Sequence, residues 1–115
     1  MKFSFEKERI FDFILYILGI TLIINFYHSN TLLLVIISIF WLAGLIIWRN
    51  YNDFIFFLVG AVIGTIAEII CINEGVWQYS NPSFIGIPIW LPFAWGLATI
   101  LIKRTAESIL RFKIK

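Results

Sequence analysis

Glu68 is the residue that could do chemistry in this sequence. It stands fifteenth in an apolar run from Phe54 to Ile72. A carboxyl group at membrane depth costs a few kcal/mol at least, about 2.5–3.5 for a charged acid at a helix centre, so such a residue is neutral, partnered or turned to a polar cavity. Gly60, Gly64 and Glu68 recur at intervals of four and therefore share one helix face, with Cys71 nearby. Glycines spaced this way let two helix backbones approach, so the face points at protein and carries the acid into a helix bundle. Two readings stay open for Glu68: a buried structural hydrogen bond, or a candidate general acid that gives a proton to an alkene or holds a ligand headgroup.

The second constellation follows directly. Between Gly75 and Gly96 lie Trp77, Tyr79, Asn81, Trp90 and Trp95, with prolines at 82, 88 and 92. An aromatic wall around one acid suits a long apolar ligand, or a cation formed along an isoprenoid. The same Trp and Tyr residues also suit an interfacial belt that anchors a membrane protein without any ligand. His28, beside Asn25 and Asn30, could pair with Glu68 or Glu74, or stand exposed. Other chemistries lack their residues. There is no phosphate-binding glycine loop, no GxSxG, no HExxH and no metal-ligand spacing, so neither a metal nor another cofactor is expected. Cys71 is the only cysteine, which excludes an internal disulfide and a CxxC pair.

These residues must be positioned by a membrane bundle. Of 115 residues, 61% are hydrophobic and 14% charged, with a mean hydropathy of +0.94, beyond what a soluble domain can hide. Four apolar runs of about span length, 10–26, 31–48, 54–72 and 86–102, make residues 1–115 a single transmembrane domain, since about 17–25 helical residues cross the hydrocarbon. The first run follows Lys2, Lys7 and Arg9 without a small-residue cleavage site and reads as an uncleaved helix. Short links between the first three runs make consecutive helices antiparallel.

Charge gives the orientation. Lys2, Lys7, Arg9, Arg49, Lys103, Arg104, Arg111, Lys113 and Lys115, all nine basic residues, fall on one side of a four-span arrangement. The positive-inside rule then predicts a multi-pass protein of the cell membrane with both termini cytoplasmic. A net charge of +2, with the basic residues at the ends, gives no footprint for nucleic acid. The basic tail, with Ala106, Ile109, Leu110 and Phe112 among its charges, either continues the last helix, lies along the inner surface or is a solvated stop-transfer segment.

Pro88 predicts the start of regular helix, with Pro92 completing its first turn or kinking it. From Pro88 to Ile102 is only about 22 Å of helix, so the segment before it is expected to dip toward the bilayer. Irregular backbone at that depth must be buried in protein or line a cavity. The expected fold is therefore an all-α membrane protein, a four-helix transmembrane bundle with a partly re-entrant outer loop between spans 3 and 4.

Glu68, then Gly75-x-Trp77-x-Tyr79, then Gly86-Ile87-x-x-x-Leu91-Pro92 resembles the repeat of the membrane lycopene cyclases of carotenoid biosynthesis, over about residues 64–96. The Gly-Ile-Pro-x-Trp-x-Pro-x-x-Trp-Gly wording is also similar to small polytopic membrane families without an assigned activity. In the cyclases the Leu-Pro step introduces paired catalytic acids; here Phe93-Ala94-Trp95 follows Pro92. The resemblance implies an outer-half cavity around Glu68 for an isoprenoid or lipid-like molecule, with membrane lipids as partners. The rival expectation is a non-enzymatic subunit whose Gly60/Gly64/Glu68 face makes a homo-oligomer or a partner interface.

Overall fold

The computed structural model describes residues 5–114. Lys2 and Lys115 of the expected basic end lie outside them, as do the side chains of Phe112 and Lys113. The described chain is all-helical: α1 is Phe5–Phe26, α2 Asn30–Trp48, α3 Tyr51–Asn73 and α4 Leu91–Ile114. The first three are long and apolar enough to cross a membrane. Their ends follow local chemistry. Arg49 closes α2 in the left-handed conformation, φ +52°, with its N–H bonded to the Leu45 carbonyl. Asn50 then caps α3 by accepting from the Asn52 N–H. These links bring the start of α1, the end of α4 and the α2–α3 link to one end of the bundle, here the terminal end. Residues 27–29 and the long loop 74–90 form the loop end.

The helices pack unequally. α3 lies closest to α4, and each also draws on glycine to do so. A Cβ at Gly60 would run into Thr99, one at Gly64 into the Trp95 ring, and one at Gly96 to within 2.6 Å of Phe57. The Gly60/Gly64 face is thus filled by α4 of the same chain. Leu33 and Ile37 of α2 and Leu15 of α1 complete the core around Leu97, Ile100 and Leu101. Outside it, Ile10, Phe13, Ile20 and Ile24 on α1 and Ile46 and Ile63 on α2 and α3 are each more than half exposed. Surface this apolar is stable against lipid and unstable against water.

α4 starts later than the prolines suggest. The backbone at Phe84 and Ile87 exchanges hydrogen bonds, 3.1 and 2.9 Å, across a turn with Ile85 at φ +50° and Gly86 at φ +82°. The Ile89 N–H goes to Ser83 Oγ at 3.1 Å. Donors that a helix from Pro88 would leave for capping are already engaged, and regular helix begins at Leu91. Pro92 sits in its first turn, where no N–H is required. The apolar part, Leu91 to Ile102, rises only about 18 Å. Ile87, Pro88 and Trp90, all buried, fill the bundle ahead of it, giving the loop its re-entrant course. Beyond Ile102 the basic segment continues as helix and does not turn along a surface.

Candidate functional site

At the loop end, Glu68 is buried on α3 and accepts two indole hydrogen bonds. Trp77 Nε1 donates to Oε2 at 2.8 Å and Trp95 Nε1 to Oε1 at 3.3 Å. The acid therefore ties the loop to the start of α4 across the face opened by Gly64. Tyr79 lies against the same carboxyl group, and burial together with that neighbour pushes its hydroxyl up to about 12. Both Glu68 oxygens are occupied by neutral donors, an arrangement that satisfies a buried carboxyl and fixes loop geometry.

Asn81 and Trp90 belong to a neighbouring cluster. Asn81 Nδ2 donates to the His28 carbonyl at 2.8 Å and the Tyr27 carbonyl at 3.3 Å. Asn30 Nδ2 donates to the Asn81 carbonyl and to Ser83 Oγ, while its Oδ1 accepts from Trp90 Nε1 at 3.2 Å. The expected set thus divides in two: Glu68 with Trp77, Tyr79 and Trp95, and Asn30 with Asn81 and Trp90. The Tyr79 and Trp90 rings join the halves edge to face, centroids 6.4 Å apart. His28 stacks on Tyr27 at 4.2 Å, and Cys71 is half-buried with a free thiol.

The terminal end carries a charged network that the sequence reading overlooked. Asp53, fully buried in the first turn of α3, accepts from Lys103 Nζ at 2.8 Å. Arg104 Nε donates to Asp12 Oδ2 at 2.9 Å and Nη2 to Glu8 Oε1 at 2.7 Å. Trp48 Nε1 donates to the other Asp12 oxygen at 2.7 Å, and its ring lies 4.8 Å beneath the Arg104 guanidinium. One pair of adjacent cations on α4 so fastens α1, α2 and α3 at a single level. Asp12 and Asp53 stand at the edges of apolar runs, where they read as boundary residues. The available signal was the Lys103-Arg104 pair directly after an apolar segment too short to cross alone.

Two cavities open on the α1 side. A groove of about 690 Å³ between α1 and the last turns of α4 is mostly apolar, lined by Ile10, Phe13 and Ile109, with Glu6, Arg9, Asp12 and Ser108 among them. Deeper, a slot of about 110 Å³ lies between α1, α2 and α4, lined by Leu15, Gly19, Ile23, Ile37 and Ala98. Tyr16 lines both and its hydroxyl pairs with Thr105 Oγ1 at 2.9 Å. Gly19 borders the slot, and a Cβ there would meet nothing within 4 Å. Among the described residues no group of three or more His, Cys, Asp or Glu could hold a metal ion. No protein-family model matches the chain, and no curated protein or solved structure matches it.

Proposed function

We propose that this chain is a multi-pass protein of the cell membrane, with both termini cytoplasmic, that binds a lipid-like molecule, an isoprenoid or an acyl lipid, along the α1 side of its bundle. The observation that carries the reading is the mostly apolar groove, with a few charged and hydroxyl groups in its lining, that shares Tyr16 with the apolar slot beside Gly19. An apolar surface that carries a few polar groups is what an amphiphile requires of a site. The orientation rests on the basic residues, which in a four-span arrangement all fall at the terminal end. The resemblance to the lycopene cyclases favours an apolar chain as the ligand. Glu68 has the part of a loop fastener in this account, because its two oxygens already accept from Trp77 and Trp95.

Purification in a mild detergent, with co-purifying lipid quantified by mass spectrometry, tests the reading in wild type, Gly19→Leu and Glu68→Gln. A leucine at position 19 fills the slot and is expected to deplete bound lipid several-fold, while Glu68→Gln retains it. Equal lipid in wild type and Gly19→Leu overturns the groove as the binding place. Depletion in Glu68→Gln alone moves the site to the loop end.

A further inference from the structure

The loop between α3 and α4 turns polar groups inward and apolar ones outward. From Gly75 to Ile102 there is no Asp, Glu, Lys, Arg or His. Asn81 donates to the Tyr27 and His28 carbonyls, and Ser83 Oγ accepts from Asn30 and from the Ile89 N–H. The indole N–H groups of Trp77 and Trp90 also point into the protein, to Glu68 and Asn30. Around the turn from Phe84 to Ile87, by contrast, Phe84, Ile85 and Ile89 are exposed, Ile85 by 62%. Ile85 also holds φ +50°, a left-handed backbone that a β-branched side chain resists. A strained position that presents its side chain outward points to a partner outside the protein.

The depth of the turn identifies that partner. Ser83 accepts at 2.7 Å from Asn30, the first residue of α2, and a Cβ at Gly86 would lie 2.9 Å from Ile72 Cγ2, one residue before the end of α3. Two membrane-long helices therefore end beside the turn, and at about 1.5 Å of rise per residue it stands within a few ångströms of the edge of the hydrocarbon. Uncharged aromatic and aliphatic side chains at that level are taken up by the boundary between headgroups and acyl chains. Water offers them nothing, and a soluble partner would bring its polar rim to a face without a counter-charge.

We infer that the Phe84–Ile87 turn is an interfacial anchor, with Phe84, Ile85 and Ile89 seated among the first acyl carbons of the leaflet at the loop end. It holds the re-entrant loop from outside, as the Trp77–Glu68 hydrogen bond does from within. The inference is separate from the lipid site on the α1 side and needs only a chain embedded in a bilayer. The test uses the full chain in nanodiscs of a phosphatidylcholine whose acyl chain carries a photoactivatable diazirine close to the ester. Peptide mass spectrometry maps the adducts, with exposed Ile70 on α3 as the lipid-facing reference. Phe84 and Ile85 are expected to be labelled to at least about a third of the Ile70 yield, and Phe84→Ser with Ile89→Ser to lower the yield at Ile85 at least about threefold with Ile70 unchanged. A smaller yield at the wild-type turn overturns the anchor, whether water or a second copy of the chain covers it instead. An Ile85 yield unmoved by the two serines overturns it as well, since lipid then lies beside the turn without holding it.

Discussion

Replacing Lys103 by methionine probes the charged network at its most buried point. The ammonium lies 2.8 Å from Asp53 Oδ1, with side-chain exposures of 10% and 0%. Methionine keeps most of the apolar stem and removes the ammonium, and with it the contact of Nζ with the Phe56 ring 4.9 Å away. Deleting one partner of a buried pair costs about 3–5 kcal/mol, because the other charge stays behind without compensation. Arg104 Nη1 is 3.9 Å from Asp53 Oδ2 and keeps part of the attraction, which places the expected loss near the lower end, about 3 kcal/mol. That is roughly a hundredfold in the unfolding equilibrium. Adding Asp53→Asn removes the orphaned charge, so the double variant is expected to recover most of the loss, with a coupling of about 2 kcal/mol or more. Unfolding by sodium dodecyl sulfate in mixed micelles, followed by tryptophan fluorescence, measures both. A loss under about 1 kcal/mol for Lys103→Met, or a double variant equal to the sum of the singles, refutes the reasoning.

Four further outcomes follow from the packing and the loop. Gly64→Ala is expected to cost about 1–3 kcal/mol by forcing Trp95 off α3, while Gly19→Ala, which meets open space, is neutral or stabilising by up to about 1 kcal/mol; the same micelle titration compares them. Glu68→Gln leaves one indole facing an amide NH₂ in place of an oxygen, expected to cost about 1–3 kcal/mol and to shift the emission assigned to Trp77 by comparison with Trp77→Phe. Ile85 holds a left-handed backbone that a β-branched residue resists, so Ile85→Asn should stabilise the detergent-solubilised protein by up to about 1 kcal/mol. In a bacterial host, a C-terminal green fluorescent protein fusion should fluoresce and a C-terminal alkaline phosphatase fusion should be inactive; the reverse pattern contradicts the assigned orientation.

The helices were legible in the sequence where one physical rule decided them. Run 31–48 became α2 to within one residue, and run 54–72 lies inside α3, which starts three residues earlier because Asn50 caps it before the apolar run begins. The start of α4 was not, since Ser83 and the Ile85–Gly86 turn take backbone donors in a way that proline rules do not reveal. The spacing of Gly60 and Gly64 disclosed a close helix contact but not whose helix would fill it. Glu68 was visible as a lone acid in an apolar run, and Trp77, Tyr79 and Trp95 do meet it, yet Trp90 and Asn81 turn to Asn30. The charged network was hidden for another reason. Its pairs join residues 50 to 96 positions apart, and no local pattern marks Asp12 or Asp53 as the partners of Arg104 and Lys103.

A crystal structure of the protein grown in a lipidic mesophase tests the lipid site most directly. The account predicts one elongated density lying along Gly19 between α1, α2 and α4. Side chains closing over Gly19 to leave no slot, or lipid density only between the 74–90 loop and Glu68, would contradict it.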